Sequence, residues 1–299
     1  MLYRTLGKTG YQVSGVVYAG IVSMDVGQAV SDREVAWAVD QGINYFDVAP
    51  SYNDAEQRLG PSLKPYRKNV YLACKTLERK REGTAKEIRR SMELLHTDWF
   101  DNYQLHAVTS PRDVEEAFGP GGAMELLRDL KEQGVVRKLG ITAHSEQAAL
   151  KCLELYDFDT VMFPTSYLLH MGQGIGRDLQ AHKAGRGFGL LGMKSLIERA
   201  WKDDADHKAA GFPKSWCKPF APEEVDLRLA AMKYALSMGA DVLVPPGNEE
   251  CFRFMVQHAQ QALTEPLTGA EMQALKARFE QVKAWPFFDK NNGNWEENP

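Results

Sequence analysis

Four polar residues in the first part of the chain have types suited to proton transfer: Asp47, Tyr52, Lys75 and His106. A tyrosine hydroxyl has a reference pKa of about 10 and donates protons poorly at neutral pH, but an adjacent ammonium favours the phenolate and lowers that pKa. Lys75 could supply this ammonium. Asp47 would hold the ammonium in place, and a neutral His106 could hydrogen-bond to a substrate oxygen and orient it.

Such a set of side chains would donate a proton to a carbonyl oxygen. Reduction also requires a hydride at the carbonyl carbon, which no side chain provides, so the chemistry implies a nicotinamide cofactor. Taken singly, each residue has an ordinary interpretation: a loop-capping aspartate, a half-buried tyrosine, a surface lysine and a hydrogen-bonded core histidine. When the four residues are considered together, these ordinary interpretations become less convincing. An aspartate and a lysine at neighbouring strand ends would be partly desolvated, and each charge would then require the other as a partner.

The elements that must position these residues are short β-branched or aromatic segments alternating with amphipathic helical stretches. Eight segments are candidate strands: 16–19, 44–48, 70–74, 99–106, 135–142, 160–163, 188–192 and 241–244. Strands joined by helices run parallel, and eight such units in about 250 residues is the number found in a (β/α)8 TIM barrel. A doubly wound open sheet remains the alternative, because periodicity does not show whether a parallel sheet closes.

In such a barrel the catalytic groups come from the carboxyl ends of the strands and the loops that follow them. Asp47 closes the second predicted strand and Tyr52 lies in the loop after it. Lys75 lies at the end of the third strand and His106 at the end of the fourth. The barrel therefore predicts that all four side chains meet at one rim.

Sequence signals also predict helix ends and two segments outside the repeat. Capping boxes at Ser31, Thr84 and Thr268 each predict a helix N-terminus, the last one opening an extra C-terminal helix. Residues 3–13 predict a β-hairpin before the first strand. Residues 195–222 form a long connection after the seventh strand, which we expect to fold over cofactor and substrate, although its aromatic residues could instead only attach it to the barrel.

Composition excludes several classes of protein. The 299 residues are 44% hydrophobic and 25% charged, and no linker divides them, so we expect a single domain over residues 1–299. The net charge of −4 provides no positive field for nucleic acid or anionic lipid. No long apolar run or signal peptide is present, and the four cysteines and seven histidines lack metal-ligand spacing. We therefore expect a soluble cytoplasmic protein without a metal site or a membrane span.

Three segments resemble the signature motifs of the aldo-keto reductases. They are GINYFDVAPSY with EQRLG between residues 42 and 60, ACKT at 73–76 and YQLH at 103–106, and the resemblance extends from residue 4 to residue 247. It implies a (β/α)8 barrel with NADPH, or sometimes NADH, bound extended across the rim. It also implies that Tyr52 is the general acid, that Lys75 and Asp47 tune it, and that His106 orients the substrate.

The resemblance suggests further positions for the cofactor, at Gly20, Ile21, Asp47, His144, Ser166, Met193, Lys194, Ser195, Leu196, Lys218, Gly247, Arg253 and Gln257. Several depart from the family pattern. His144 stands where an asparagine usually contacts the carboxamide, the usual glutamine after the sixth strand is missing, and Met193 replaces an aromatic residue that stacks on the nicotinamide. The Met193-Lys194 pair resembles the pair found at this place in a divergent subgroup of the family. Members of that subgroup sometimes carry a C-terminal cysteine cluster, which this chain lacks.

Three of these positions have more than one interpretation. Lys194 could meet the cofactor pyrophosphate or the substrate, or extend to solvent, and Met193 could simply fill the core. Arg253 stands where the family often has an arginine beside the adenosine 2′-phosphate, which favours NADPH, or it could face solvent on the last barrel helix. Because Gly247 replaces a lysine that many members use, NADH stays possible.

The sequence therefore predicts an NADP-dependent oxidoreductase that reduces an aldehyde or ketone, with sugar-derived carbonyls among the candidates. Tyr52, His106 and Trp216 are the predicted substrate-contacting residues. The alternatives are a redox-neutral sugar epimerase that uses a tightly bound cofactor, and a cofactor-binding regulatory subunit. The exact substrate, the direction of the reaction and the oligomeric state are not determined by the sequence.

Overall fold

The computed structural model describes residues 1–290, so residues 291–299 of the predicted domain lie outside the described part. The chain begins with an antiparallel hairpin, β1 (Tyr3–Thr5) and β2 (Gln12–Ser14), as the sequence predicted. The following strands are β3 (Tyr18–Ala19), β4 (Tyr45–Asp47), β5 (Tyr71–Thr76), β6 (Asn102–Val108), β7 (Leu139–Ala143), β8 (Thr160–Pro164), β9 (Gly189–Met193), β10 (Ile197–Arg199), β11 (Lys218–Pro219) and β12 (Val242–Val244).

Eight of these strands form one parallel sheet in the order β12-β9-β8-β7-β6-β5-β4-β3. Its two outer strands meet, because Val16 forms a parallel bridge with Leu243. The Val17 N–H also donates to the Leu243 carbonyl at 3.0 Å, and the Leu243 N–H donates to the Gly15 carbonyl at 2.9 Å. The sheet is therefore a closed barrel, and the (β/α)8 prediction is confirmed over the open-sheet alternative.

Helices surround this barrel. They are α1 (Gln28–Asp40), α2 (Ala55–Leu63), α3 (Arg81–Leu94), α4 (Pro111–Phe118), α5 (Ala123–Glu132), α6 (Glu146–Leu155), α7 (Tyr167–Gln173), α8 (Arg177–Arg186), α9 (Asp204–Ala209), α10 (Val225–Ser237), α11 (Glu249–Thr264) and α12 (Gly269–Val282). The extra C-terminal helix of the prediction is α12. Within residues 1–290, no helix combines the length and the apolar character needed to cross a bilayer.

Only one of the three predicted capping boxes is present. Thr268 caps α12, where its side chain accepts from the Glu271 N–H and the Glu271 side chain accepts from the Thr268 N–H. Ser31 instead lies inside α1 and donates to the Ser23 hydroxyl at 3.0 Å, while Thr84 lies inside α3 and donates to the Lys80 carbonyl at 3.0 Å. Both predictions were wrong because the helices begin about one turn earlier and each hydroxyl finds another partner.

The strand boundaries also differ from the predicted ones. The fourth barrel strand begins at Asn102 rather than at residue 99, and the fifth begins at Leu139 rather than at residue 135. Residues 99–101 and 135–138, which were predicted to be strand, form only an isolated bridge from Phe100 to Val136. At their carboxyl ends β5 and β6 extend past the predicted limits, so Lys75 and His106 lie before the last residue of each strand.

Candidate active site

Asp47, Tyr52 and Lys75 meet at the carboxyl ends of β4 and β5. Lys75 is fully buried, and its ammonium forms an ion pair with the Asp47 carboxylate. The same Nζ donates to the Tyr52 hydroxyl at 3.4 Å and to the Val48 carbonyl at 3.3 Å. The three residues therefore form one hydrogen-bonded chain from carboxylate through ammonium to phenol.

His106 completes the group from β6. Its ring lies edge-on to the Tyr52 ring, with centroids 5.9 Å apart and planes at 86°. Its Nδ1 is 3.5 Å from the Ser51 hydroxyl, and its carbonyl accepts from the Arg79 guanidinium at 2.7 Å. The register of β6 against β7 shifts just beyond His106, where Ala107 has a φ of 52°. This irregularity changes the direction of the strand end next to the site.

Sequence reasoning missed Gln104, which supports Asp47 from the barrel interior. The Gln104 Nε2 donates to the Asp47 Oδ1 at 3.0 Å, and its Oε1 accepts from the Thr142 hydroxyl at 3.2 Å. The signal was present, because Gln104 precedes His106 by two residues and alternate residues of a strand share a face. A polar residue at that spacing from a candidate histidine points into the same barrel interior.

Burial controls the protonation of this group. Burial raises the pKa of Tyr52, Lys75 opposes the shift and Asp47 adds to it, so the pKa lies above its usual value. Lys75 acts on the pKa of Tyr52 in the expected downward direction, but desolvation of the phenolate outweighs the attraction of the ammonium, so the net shift is upward. Burial and the Lys75 charge hold the pKa of His106 well below its usual value, so this imidazole is neutral at physiological pH.

The Asp47 and Lys75 pair is also shaped by burial. Burial alone would lower the pKa of Lys75, but Asp47 and Tyr52 outweigh it and hold that pKa above its usual value. Burial raises the pKa of Asp47, and this rise is opposed by Lys75 and Gln104. Lys75 therefore keeps a full positive charge beside the phenol.

A cavity of about 560 Å³, including its open mouth, lies above these residues. Asp47 and Tyr52 lie in its wall together with Met193 and Lys194 after β9. Trp216 also lines the cavity, with 61% of its surface exposed and its ring centroid 5.8 Å from that of Tyr52. The predicted substrate residue Trp216 thus lies beside the candidate acid.

The connection between β9 and α10 covers this end of the barrel. It contains β10, β11 and α9, and the Lys214 ammonium donates to the Val22 carbonyl at 2.9 Å. The Trp201 Nε1 donates to the Ser215 carbonyl at 2.9 Å, which ties the segment to itself. Residues 214–217 therefore line the cavity between the end of β9 and the end of β3. The sequence analysis did not place Lys214 or Cys217 in the site.

Only some of the predicted cofactor positions line this cavity. Asp47, Ile21, Met193, Lys194 and Gly247 do so. Gly20, Ser195 and Leu196 are buried beside them, and Lys218 forms a 3.2 Å ion pair with Glu198. His144 stacks on Phe288 with ring centroids 4.8 Å apart, and Ser166 caps α7 by accepting from the Leu168 N–H.

Arg253 and Gln257 lie on α11, and neither lines the cavity. Gln257 is exposed. Arg253 donates to Glu34 and to Glu249, each at 2.7 Å, and its guanidinium lies 4.3 Å from the centre of the Trp37 ring. A phosphate at this place would have to compete with two carboxylates for Arg253.

Two buried polar atoms next to the cavity fit a bound polar group. The Ser195 hydroxyl and the Asn248 Oδ1 are buried and have no hydrogen-bond partner within residues 1–290. Ser195 follows cavity-lining Lys194, and Asn248 follows cavity-lining Gly247 at the start of α11. Since buried polar atoms are rarely left unpaired, these two positions suit hydrogen bonds to the polar groups of an extended cofactor.

Comparison with known proteins identifies the family of this chain. The model of the aldo/keto reductase family matches residues 23–183, which is more than half of the chain. Among curated proteins, aldo-keto reductase YhdN of Bacillus subtilis (strain 168) is 27% identical over 164 residues, which cover 48% of each chain. D-arabinose 1-dehydrogenase of Saccharomyces cerevisiae is 29% identical over 124 residues, which cover 37% of this chain and 35% of that protein.

The chain spans about half the length or less of these curated relatives, whereas the similarity to solved structures covers nearly all of it. A holo-form aldo-keto reductase from Bacillus halodurans superposes with a TM-score of 0.69 at 22% identity, covering 98% of this chain and 100% of that one. This likeness shows a shared barrel fold, and the family match comes from the sequence. The chain belongs to the aldo/keto reductase family.

Proposed function

We propose that the protein is an oxidoreductase that reduces an aldehyde or ketone to an alcohol with NADPH, NADH being the alternative cofactor. The observation that carries this proposal is the chain of contacts from Asp47 through Lys75 to Tyr52 at the floor of the cavity. A small-molecule carbonyl compound fits a cavity of this size, and the relative named D-arabinose 1-dehydrogenase makes sugar-derived carbonyls natural candidates. We place this activity in the cytoplasm.

The cofactor supplies the hydride when it is bound, and the residues of the chain handle the proton. Because burial raises the pKa of Tyr52, its hydroxyl is protonated before the reaction and donates from Oη to the carbonyl oxygen. Lys75 then stabilises the phenolate, and Asp47, which accepts a hydrogen bond from Gln104, holds the ammonium charged and in place. The neutral His106 donates a hydrogen bond to the substrate oxygen and orients it.

The cofactor would occupy the groove bordered by Ile21, Met193 and Gly247, with Ser195 and Asn248 available for its polar groups. In this arrangement Met193 would pack on the nicotinamide in place of an aromatic residue. Arg253 and Gln257 would serve the adenosine end, once Arg253 exchanges a carboxylate partner for a phosphate.

Turnover of a panel of aldehydes and ketones with NADPH tests the proposal. Tyr52→Phe should lower kcat by about 10²- to 10⁴-fold, because general acid catalysis contributes that much, while the dissociation constant for NADPH stays unchanged. Tyr66→Phe, outside the cavity lining, is the matched control. Wild-type turnover by Tyr52→Phe would contradict the proposed acid.

The two alternatives predict different results in the same assays. A regulatory subunit would bind NADPH tightly without reducing any carbonyl compound in the panel. A redox-neutral epimerase would copurify with a dinucleotide, detectable by mass spectrometry, and would interconvert sugar epimers without net consumption of NADPH.

A further inference from the structure

Lys194 is a cation at the cavity wall without an acidic partner. It is half-buried and lies directly after β9. Within residues 1–290 no carboxylate lies within ion-pair distance of its ammonium and no acceptor takes a hydrogen bond from it, unlike Lys75 with Asp47 and Lys218 with Glu198. A lysine ammonium has three hydrogen-bond donors, so all three are available to a ligand.

Aromatic rings surround this ammonium. The Nζ lies 5.3 Å from the ring centre of Phe288, 5.8 Å from that of Phe287 and 5.9 Å from that of Trp216. The faces of aromatic rings attract a cation without accepting its hydrogen bonds in the way a carboxylate does. The surroundings within residues 1–290 therefore leave the donors of Lys194 unpaired.

The backbone at Lys194 is in an unusual conformation. Its φ is 63°, in the left-handed region that residues other than glycine adopt only rarely. The Lys194 carbonyl accepts from the Ile197 N–H at 3.1 Å, so the chain turns sharply where β9 ends. Strained residues of this kind occur preferentially at ligand sites, and here the strain places a lysine at the mouth.

Lys194 follows β9, two strands from β3 round the closed barrel, and its ammonium lies beside the Phe288 ring, toward the end of β7. It lowers the pKa of His144, which follows β7 and stacks on Phe288. Ile21 follows β3, and β3 is four strands from β7 in the eight-stranded barrel, halfway round. The Trp216 ring lies near both groups, with its centroid 5.9 Å from the Lys194 ammonium and 5.8 Å from the centroid of the Tyr52 ring.

We propose that Lys194 binds an anionic group of the substrate, a carboxylate or a phosphate. The anion and the reacting carbonyl would both lie beside the Trp216 ring, which is near Lys194 and Tyr52. The substrate class is therefore a carbonyl compound that carries a carboxylate or a phosphate ester. This inference rests on the proposed reductase function. The same oxyanion chemistry could come from the cofactor diphosphate, and the experiment distinguishes the two sources.

Two aldehydes of similar shape test the charge directly: para-formylbenzoate and para-formylbenzamide. Lys194→Met should lower kcat/KM for the carboxylate by about 10- to 100-fold, as expected for loss of a hydrogen bond to a charged group, and change it for the amide by less than about twofold. Lys194→Arg should restore most of the loss. Lys202→Met is the matched control, because Lys202 lies 4.2 Å from the Trp285 ring outside the cavity lining.

Two outcomes with this variant would overturn the inference. An equal loss for both aldehydes, with a higher dissociation constant for NADPH, would assign Lys194 to the cofactor. Unchanged constants for both aldehydes would leave Lys194 without a role in recognition.

A measurement on the wild-type protein covers the case in which Lys194→Met does not fold. Added salt should lower kcat/KM for para-formylbenzoate and not for para-formylbenzamide, because salt screens an attraction between charges. Equal salt dependence would overturn the inference. If neither aldehyde is reduced, the proposed function fails, and calorimetric binding of para-formylbenzoate to NADP-loaded protein still tests Lys194: tighter binding of the benzoate than of the benzamide supports it, and equal binding overturns it.

Discussion

At the scale of single residues, desolvation is the main physical influence on the candidate site. Tyr52 is buried beside Lys75, and burial keeps its hydroxyl protonated even though the ammonium favours the phenolate. In the proposed reaction, Lys75 would then stabilise the phenolate that proton transfer leaves behind, rather than ionise the phenol beforehand. His106 is neutral for the same reason, which suits a hydrogen-bond donor to a substrate oxygen.

Gln104→Leu should lower both stability and activity by removing a hydrogen bond to Asp47. Leaving the buried Asp47 Oδ1 unpaired costs about 1–3 kcal/mol, which a urea titration measures as a loss in the free energy of unfolding. Loss of Gln104 also removes an interaction that lowers the pKa of Asp47, so the acidic limb of the activity profile should move to higher pH. The exposed Gln260→Leu is the control, and equal effects of the two changes would contradict this role.

His144 should make stability fall in mildly acidic solution. Burial, with a contribution from Lys194, lowers the pKa of His144 from 6.5 to about 3. Its contribution to stability is therefore fully present above pH 6.5 and is lost as the pH falls toward 3, because the unfolded chain takes up the proton first. His144→Gln should reduce the loss between pH 6 and pH 5 by roughly 1 kcal/mol, measured by urea unfolding at each pH. The exposed His182→Gln should leave the slope as in the wild type.

At the scale of elements, the connection from β9 to α10 forms a wall of the cavity. Its residues 214–217 line the cavity, and the Lys214 ammonium bonds the Val22 carbonyl across the mouth at 2.9 Å. A nucleotide lying in the groove bordered by Ile21 and Gly247 would be covered by this segment. Release of the cofactor would then require the contact between Lys214 and Val22 to open.

Lys214→Met should speed release of NADPH by about tenfold, because a charged hydrogen bond that holds the segment closed is lost. Stopped-flow fluorescence of the bound nucleotide measures the dissociation rate. Lys208→Met, an exposed change on α9 of the same segment, should leave the rate unchanged. A rate in Lys214→Met equal to that of the wild type would show that the segment does not gate the cofactor.

At the scale of the whole molecule, the N-terminal hairpin is seated against the amino end of β9. The Lys8 N–H donates to the Gly187 carbonyl at 2.7 Å. Gly7 has a φ of +47°, and a Cβ there would lie 2.2 Å from the Gly189 backbone nitrogen. The hairpin therefore packs backbone against backbone at the end of the barrel opposite the candidate site.

Gly7→Ala should destabilise the protein by about 3 kcal/mol or more, because the hairpin must move away from β9. Gly10→Ala is a matched control, since Gly10 has a φ of +78° and a Cβ there would meet nothing within 4 Å. This control carries only the backbone penalty of about 1–2 kcal/mol. Equal losses in urea unfolding would show that the hairpin is not held by the close approach to Gly189.

The sequence by itself determined the alternation of strands and helices, and with it the strand ends that carry Asp47, Lys75 and His106. These follow from local periodicity, and parallel strands place their carboxyl ends together whatever the details of packing. The helix starts at Ser31 and Thr84 were not determined in this way, because each hydroxyl had tertiary or intrahelical partners that compete with a cap.

Only the tertiary structure decided the closure of the barrel, the sign of the Tyr52 pKa shift and the surroundings of Lys194. Closure depends on contacts between Val16 and Leu243, which are far apart in the chain. The pKa shift depends on how completely the phenol is removed from water, and Lys194 lies among rings contributed by residues 216, 287 and 288. Burial and distant contacts are properties of the packed molecule, and local sequence patterns do not encode them directly.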